Sequence, residues 1–165
     1  LSKSEKLSCF RAYDVRGELD VEINEKIALK IGYAIAKKLK ARTIVVGHDA
    51  RESSLSLSNS VIKGIQAYGA DVLNLNLAGT EEVYFAVANL GADAGVEVTA
   101  SHNPINYNGM KIVKSGSKPL TQDEFSQIKG IAEKDPTAIS TSPGQLKDVQ
   151  KQARMQYIKK IVSFI

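Results

Sequence analysis

The sequence predicts an α/β domain: a three-layer sandwich whose four-stranded, mostly parallel mixed sheet has one antiparallel edge strand and helices on both faces. Short apolar runs alternate with stretches of helical periodicity, which is typical of strands joined by right-handed helical crossovers. With 165 residues, 43% of them apolar, the chain is long enough for one core. Only about ten residues separate GVEVT from GMKIV, too few for a helical crossover, so this pair is predicted to be antiparallel.

The first strand is predicted at residues 8–15, SCFRAYDV, and should end at the turn Arg16-Gly17. Asn24 is a suitable N-cap for the next helix, because its side chain can accept a hydrogen bond from the first turn. The inward positions of that helix recur at helical spacing. They are Ile27, Ile31, Ala34, Ile35 and Leu39.

Two strands and a helix are predicted next. Residues 43–47, TIVVG, form a β-favouring run, and residues 71–77, DVLNLNL, alternate as a strand does. Between them a serine-rich start at 53–58 leads into a helix that should end at Gly69. Its apolar side carries Val61, Ile62 and Ile65.

A short helix is predicted after Thr80, the expected N-cap, with Glu81 and Glu82 in the first turn, where the helix dipole favours acids. This acidic pair is better explained by helix electrostatics than by a metal site. Gly91 should close the helix, and residues 94–100, AGVEVTA, follow as a strand.

The strand at 109–113, GMKIV, is expected to run antiparallel to its predecessor, at an edge of the sheet or reversed within it. Thr121 and Glu124 then form a capping box that predicts another helix. The apolar positions of that helix are Phe125, Ile128, Ile131 and Ala132.

The pattern changes near the C-terminus. Residues 135–146 contain two prolines with Ser, Thr and Gly and are predicted to be a linker. Helical periodicity resumes from Lys147 and stops in mid-pattern, which suggests a longer parent chain; a helix that packs on its own domain is the alternative. Its apolar positions are Val149, Ala153, Tyr157, Ile158, Ile161, Val162 and Ile165. Such a face should pack on the domain or pair with a second copy.

Composition restricts the functional classes. The net charge of +4 is too small and too evenly spread to indicate nucleic acid on its own, and no nucleic-acid partner is expected. No apolar run approaches the roughly 20 residues that span a bilayer, so no membrane partner is expected. The single Cys9 cannot form an internal disulfide, consistent with a reducing compartment. We expect a cytoplasmic protein.

Polar, mostly cationic side chains follow three of the predicted strands. In open α/β sheets, ligands bind beyond the carboxyl ends of the strands. The three loops are 13–17, 47–51 and the loop from Ser101, and they bring together cations suited to a phosphorylated ligand. These cations are Arg16, His48, Arg51, His102 and Lys111.

Ser101 is the natural nucleophile of this set, provided that a base or a positive field activates it. His102 and Lys111 are equally good candidates for the base, because adjacent side chains of an extended chain point in opposite directions. The Asn103-Pro104 step forces a turn. Asn108-Gly109 is predicted to form a second bend that returns the chain and brings Lys111 alongside Ser101.

From the residues alone a structural explanation remains open for each of these groups. Lys111 suits a solvated edge strand. His48 can bond a neighbouring carbonyl, and Asp49 can pair with Arg51 as a surface ion pair of little energetic value. Arg16 is compatible with a plain turn. Tyr13 is compatible with a core position that leaves its hydroxyl at the rim.

Three motifs resemble one known family. TASHNPINYNGMKI, residues 99–112, closely resembles the phosphoserine loop of the α-D-phosphohexomutases. FRAYDVRG, residues 10–17, resembles the family's first active-site loop, and GHDAR, residues 47–51, resembles its G-x-D-x-R motif. The segment 78–104 looks most like the bacterial phosphomannomutases of GDP-mannose biosynthesis. His48 departs from the pattern, since many relatives have Arg or Gly there.

The resemblance implies a phosphotransferase mechanism. Ser101 would carry a phosphate and transfer it to a hexose monophosphate, and the bisphosphorylated intermediate would return its other phosphate, so that mannose 6-phosphate and mannose 1-phosphate interconvert. It implies proton shuttling and charge stabilisation by His102 and Lys111, and substrate binding by Tyr13 and Arg16. Asn103, Asp49 and Arg51 would support the loop.

The resemblance also implies what this chain lacks. It covers residues 9 to 145, the first of the family's four domains, so 1–146 is predicted to be the phosphoserine domain and 147–165 a helix that leads into a second domain. Ser101 would bind Mg²⁺ through its phosphate, with the other ligands in that second domain. We therefore expect the chain to be inactive without the remaining domains. The alternatives are a phosphoglucomutase or phosphoglucosamine mutase domain, or a non-catalytic module that binds sugar phosphates or a partner.

Overall fold

The computed structural model describes residues 6–136 and 139–165. Its strands are β1 (Val15–Glu18), β2 (Thr43–His48), β3 (Asp71–Leu77), β4 (Ala94–Val98), β5 (Tyr107–Lys114), β6 (Lys118–Pro119) and β7 (Leu146–Asp148). Its α-helices are α1 (Glu25–Leu39), α2 (Ser54–Tyr68), α3 (Thr80–Asn89), α4 (Gln122–Ala132) and α5 (Gln150–Val162), and a 3-10 turn spans Ser115–Ser117.

One mixed sheet of seven strands organises the described residues, in the order β1-β5-β4-β2-β3-β7, with β6 paired to β5. The pairs of β2 with β3 and β4, and of β3 with β7, are parallel, whereas β5 runs antiparallel to β1, β4 and β6.

The α/β class and the mixed sheet are confirmed. The prediction of a four-stranded sheet is wrong, since the sheet has seven strands. Five of them correspond to the runs named from the sequence, whereas β6 and β7, with two and three residues, are too short to show a period. The antiparallel direction of β5 is confirmed, but β5 lies inside the sheet and not at its edge.

The first strand lies later in the sequence than predicted. A turn in which Arg11 N donates to Asp14 O (2.9 Å) interrupts the run 8–15, and β1 begins at Val15. The predicted Arg16-Gly17 turn is therefore wrong: both residues lie in β1, opposite Gly109 and Asn108 of β5.

The predicted Asn108-Gly109 bend is also wrong, since both residues lie within β5. A Cβ on Gly109 would lie 1.9 Å from the carbonyl oxygen of Val15, so the close approach of β1 requires glycine at this position. The chain reverses earlier, between Thr99 and Asn106, where Tyr107 N donates to Pro104 O at 3.0 Å.

Gly91 closes α3 as predicted, since it follows the C-cap Leu90 with φ 65°. The other helix termini follow the side-chain signals at three of four predicted positions. Asn24 caps α1 by accepting from Ile27 N at 3.0 Å, Gly69 ends α2 with φ 103°, and Thr121 caps α4. The fourth prediction is wrong: Gly79 and not Thr80 is the N-cap of α3, because the Glu82 carboxylate accepts from Gly79 N at 3.0 Å.

The core lies on both faces of the sheet. On one face α1, α2 and α4 cover Ile44, Val46, Val96 and Met110, and on the other α3 covers Val45 and Val113. Residues of β4 alternate between these faces, as a strand requires. The helices therefore hold the carboxyl ends of β2 and β4 side by side.

The C-terminal segment packs on the domain with part of its length. β7 pairs with β3, and the linker predicted at 135–146 ends at its first residue; positions 137 and 138 lie outside the described residues. Ala153 of α5 is buried, and Arg154 Nε lies 2.8 Å from Glu82 Oε1. The last turns leave apolar side chains exposed. These are Met155, Ile158, Ile161, Val162, Phe164 and Ile165, here called the α5 apolar face.

No helix in the described part of the chain combines the length and the apolar character that crossing a membrane requires.

Candidate active site

The loop that follows β4 displays the Ser101 hydroxyl. Ser101 is exposed and has φ 55°, in the left-handed region that non-glycine residues seldom occupy. Its backbone N–H donates to Thr99 Oγ1 at 2.9 Å. Asn103 folds back on the same loop, since its N–H and its side-chain amide donate to Ala100 O at 3.0 and 2.9 Å. A strained backbone conformation of this kind persists only where the surrounding structure maintains it. Such residues are common at functional sites.

Arg51 holds this loop in place. Its guanidinium donates to four carbonyl oxygens: Pro104 (2.8 Å), Tyr107 (3.2 Å), Ser101 (3.1 Å) and Asn103 (2.6 Å). The five N–H groups of arginine lie in one rigid plane, so a single side chain can fix both ends of a turn. The Arg51 side chain is only 14% exposed, so it supports the loop and is not an open cation for a ligand.

Asp49 connects Arg51 to the start of α2. Its Oδ1 accepts from Arg51 N at 3.0 Å and from Ser54 Oγ at 2.5 Å, and its Oδ2 lies 3.6 Å from Arg51 Nε. Asn108 reaches the same point from β5, because its amide donates to Ser53 Oγ (2.8 Å) and Ser54 Oγ (2.9 Å). The sequence analysis missed this buried amide, since it assigned Asn108 to a turn.

Arg16 lies at the beginning of the loop. Its Nη2 and Nε donate to Asp14 Oδ2 at 2.7 and 3.1 Å, and its Nη1 donates to Thr99 O at 3.2 Å. The side chain is 13% exposed. Arg16 thus lies beside the loop as predicted, although on a strand.

Lys111 and Tyr13 line a cleft of about 300 Å³ that also includes Asp14, Tyr84 and Ser117. Tyr13 is 85% exposed. It therefore does not occupy the core position that was the structural alternative for this residue. Ser101 lines a different depression of about 420 Å³ together with Asp49, Arg51 and Asn103. The structure brings Ser101, Asn103, Asp49 and Arg51 together, and places Lys111 and Tyr13 in a second depression.

The two histidines differ in their surroundings. His102 is exposed next to Ser101. His48 lies at the end of β2 with Nδ1 2.8 Å from the carbonyl oxygen of Asp49, as the structural explanation predicts.

Glu97 is a buried acid that the sequence analysis did not single out. It lies in β4, is 1% exposed, and is the residue opposite Lys111 in β5. Burial, followed by the negative charges of Asp49 and Glu82, raises the pKa of its carboxyl to about 9, so this carboxyl is neutral at pH 7. The available signal was a glutamate within the apolar strand AGVEVTA.

The described residues do not by themselves form a Mg²⁺ site. They contain no group of three or more His, Cys, Asp or Glu side chains that could hold a metal ion. The carboxylate closest to the loop in this network, Asp49, is engaged by Arg51 and Ser54. A phosphate on Ser101 would be a further oxygen donor, but not a complete ligand set.

Comparison with known proteins places this chain in a family. The sequence profile "Phosphoglucomutase/phosphomannomutase, alpha/beta/alpha domain I" matches residues 8–138. A phosphomannomutase of Klebsiella pneumoniae is 51% identical over 131 residues, which cover 79% of this chain and 83% of that protein. A phosphomannomutase of Escherichia coli K12 is 44% identical over 163 residues, 97% of this chain but 35% of that protein. The chain thus spans about a third of the length of the Escherichia coli relative.

A solved structure agrees. A phosphoglucomutase/phosphomannomutase family protein of Burkholderia thailandensis superposes with a TM-score of 0.81 and 29% identity, covering 96% of this chain and 36% of that one. The family profile, the sequence relatives and the fold agree. This chain belongs to the phosphoglucomutase/phosphomannomutase family, and it comprises that family's α/β/α domain I.

Proposed function

We propose that this chain is the phosphoserine-bearing domain of a phosphomannomutase, which interconverts mannose 6-phosphate and mannose 1-phosphate through a bisphosphorylated intermediate. The observation that carries the proposal is the exposed hydroxyl of Ser101, in a left-handed conformation on a loop fixed by the four Arg51 hydrogen bonds. A rigid loop presents one oxygen at one position, which phosphoryl transfer needs more than covalent activation.

The reaction would proceed in two transfers. In the first, an oxygen of the hexose monophosphate forms a bond to phosphorus while the bond between phosphorus and Ser101 Oγ breaks. The sugar hydroxyl gives its proton to a base, and Ser101 Oγ recovers a proton. In the second, Ser101 Oγ forms a bond to the other phosphorus of the bisphosphate while the bond between that phosphorus and the sugar oxygen breaks. The serine hydroxyl gives its proton to a base and the sugar oxygen gains a proton, so that no phosphate is lost overall.

Lys111 and His102 are the proposed proton carriers and cations of these steps. Both lie close to the carboxyl end of β4: His102 follows Ser101, and Lys111 is opposite Glu97 in the β4–β5 ladder. Tyr13, exposed at the rim of the Lys111 cleft, would contact the sugar phosphate. Arg16 would act at the same edge, where its contacts with Asp14 and Thr99 favour ordering the loop.

Mg²⁺ would bind the phosphate of Ser101 and neutralise charge there. The described residues do not complete its coordination, so its other ligands would come from the part of the relatives' length that this chain does not span. We propose no step through the metal. For the same reason we propose that mutase activity with a hexose phosphate substrate requires the remaining domains.

The proposal is tested by mass spectrometry of the intact chain after incubation with mannose 1,6-bisphosphate, Mg²⁺ and the separately expressed remaining domains of a phosphomannomutase, because the transfer is expected to require them. We expect the mass of one added phosphate, mapped to the peptide that contains Ser101. Ser101→Ala should abolish it, whereas Ser56→Ala, at an exposed serine of α2, should retain it. Phosphate at other serines, or none at Ser101 when the folded chain is bound to the remaining domains, would contradict the proposal.

Two alternatives remain distinct proposals. A phosphoglucomutase or phosphoglucosamine mutase domain would show the same phosphate on Ser101 but, once combined with the remaining domains, would convert glucose or glucosamine phosphates faster than mannose phosphates. A non-catalytic binding module is favoured by the α5 apolar face, which offers a surface for a partner or for a second copy. Such a module would bind the remaining domains without restoring activity.

A further inference from the structure

A buried amide joins β5 to the start of α2, next to the Ser101 loop. Asn108 lies in β5 and is fully buried. Its Nδ2 donates to Ser53 Oγ at 2.8 Å and to Ser54 Oγ at 2.9 Å, and its Oδ1 accepts from Gly109 N at 2.8 Å. Both polar atoms of the amide are therefore engaged. A buried polar group that is fully satisfied holds its neighbours in one arrangement.

The Asn108 amide fixes the direction of the next hydrogen bond. The N–H of Gly109 binds the amide oxygen, so the NH₂ group, which can only donate, faces the serines. The Ser54 hydroxyl accepts one of these hydrogens and therefore directs its own proton to Asp49 Oδ1, 2.5 Å away. A carboxylate can only accept. Both bonds between Asn108 and Asp49 thus point in the same direction.

Asp49 connects the Ser54 hydroxyl to Arg51. The same Oδ1 accepts from Arg51 N at 3.0 Å, and Oδ2 lies 3.6 Å from Arg51 Nε. The Arg51 guanidinium then binds four carbonyl oxygens of the Ser101 loop. One path of hydrogen bonds, with one ion pair, therefore runs from Asn108 through the start of α2 and the loop after β2 to the loop that displays Ser101.

The hydroxyls at the start of α2 serve this path and not the helix. Ser53 is the N-cap residue of α2, and a serine at that position usually accepts from the backbone of the first turn. Here the Ser53 hydroxyl accepts from Asn108 instead, and the Ser54 hydroxyl donates to Asp49. The two serines therefore contribute to the geometry of the site.

We propose that Asn108 is a positioning residue for Ser101. It acts through the Ser54 hydroxyl and the Asp49 carboxylate, which together orient Arg51. The hydrogen bonds of Arg51 then hold the loop in the geometry that presents Ser101 Oγ. Asn108 is buried and does this without touching a substrate. The position of the loop is a property of these residues, and its use in phosphoryl transfer rests on the proposed function.

Asn108→Asp tests the direction of this path. It preserves the shape of the side chain but replaces the donor that faces the serines by an acceptor. The single proton of the Ser54 hydroxyl would then lie between two carboxylates, so its bond to Asp49 should weaken. Asn59→Asp is the matched control, because it makes the same change at an exposed position of α2 and should leave the loop unchanged.

Amide hydrogen exchange, followed by NMR, measures how often the loop opens. The reporting groups are three N–H groups that donate within this network, those of Arg51, Asn103 and Tyr107. In Asn108→Asp they should exchange about tenfold faster, as expected for the loss of one hydrogen bond to a charged group. The amide of Ile35, buried in α1, reports unfolding of the whole chain. Faster exchange at Ile35 alone would mean that the variant only destabilises the fold, and would contradict the proposal.

Ser54→Ala removes the middle of the path and also serves if Asn108→Asp does not fold. It should accelerate exchange of the same three amides, whereas Ser56→Ala, at an exposed serine of the same helix, should not. The double variant Ser54→Ala with Asn108→Asp should accelerate exchange by less than the product of the two single effects, because both residues act along one path.

The use of the path in phosphoryl transfer is measured with the remaining domains of a phosphomannomutase, Mg²⁺ and mannose 1,6-bisphosphate present. A misplaced loop should lower the rate at which Ser101 gains phosphate at saturating bisphosphate, per folded chain, by about tenfold or more. The KM for the bisphosphate should stay nearly unchanged, because Asn108 does not contact the ligand.

Two further results would overturn the proposal: loop amides that neither Asn108→Asp nor Ser54→Ala accelerates, or single effects that multiply fully in the double variant. An unchanged rate of phosphate transfer in variants whose loop exchanges faster would refute the role of the path in catalysis. A parent chain that gains no phosphate on Ser101 would refute the proposed function, while the exchange rates would still decide whether Asn108 positions the loop.

Discussion

Arg51 shows how one side chain determines the geometry of the candidate site. Its guanidinium is largely buried, and it accounts for four bonds to the loop that presents Ser101. We expect Arg51→Met to lower the free energy of unfolding by about 2–4 kcal/mol, since four hydrogen bonds from a charged donor to the loop carbonyls are lost. Urea denaturation measures this loss, and hydrogen exchange should show reduced protection in residues 99–107.

Arg42→Met is the control for that variant, because Arg42 is exposed on the loop before β2. It should change the free energy of unfolding by less than about 0.5 kcal/mol. Equal stability of the two variants would mean that the Arg51 hydrogen bonds do not hold the loop.

Glu97 should make stability depend on pH. Its pKa is raised from 4.5 to about 9 in the folded state, chiefly by burial. Between these values the folded chain retains a proton that the unfolded chain has lost, so the contribution of Glu97 to the free energy of unfolding falls as the pH rises. The Glu97→Gln variant has no carboxyl at this position, so its free energy of unfolding does not fall for this reason as the pH rises. We therefore expect the variant's stability relative to the parent to increase from pH 5 to pH 9.

Urea denaturation of both chains at pH 5, 7 and 9 measures this difference. A difference that is constant over these pH values would show that Glu97 titrates in the folded state as it does in the unfolded state.

The residues predicted from the sequence are those whose chemistry is read from a motif. Ser101, Asn103, Asp49 and Arg51 lie together as their motifs suggest. Glu97 was missed because its raised pKa comes chiefly from burial between the sheet and α3, which does not appear in a local pattern. The roles of all these site residues, and of His102, Lys111, Tyr13 and Arg16, stay predictions.

At the scale of elements, local signals located helices better than strand ends. The caps of α1 and α4 depend on side chains within one turn, so the sequence is sufficient to place them. Asn108-Gly109 is a strong local turn signal, but the pairing of β1 with β5 overrides it. β7 owes its existence to pairing with β3, which a linker composition does not reveal.

The cap of α1 gives a test at this scale. Asn24→Ala removes the acceptor of the Ile27 N–H and should lower the free energy of unfolding by about 1 kcal/mol. Asn59→Ala, at an exposed position inside α2, should instead be neutral or slightly stabilising because alanine is the better helix former. Both are measured by urea denaturation. If the two variants lost the same stability, capping by Asn24 would not be the cause.

At the scale of the whole molecule, the distribution of apolar surface predicts how copies of the chain interact. α5 contributes Ala153 to the core but leaves the α5 apolar face exposed, including Ile158, Phe164 and Ile165. Contiguous apolar surface of this kind is uncommon on monomers. Pairing of two such faces would bury it, and we expect the average mass by light scattering to rise with concentration toward that of a dimer.

Substitutions on this face distinguish specific pairing from general aggregation. Ile158→Asp combined with Phe164→Asp should hold the chain at the monomer mass, because each pairing would then bury charge. Val21→Asp is the matched control: Val21 is 74% exposed but lies in the turn after β1, and its replacement should leave the dimer intact. A mass independent of concentration in the parent chain would contradict self-association through α5. Equal loss of association in both variants would indicate that no particular face is used.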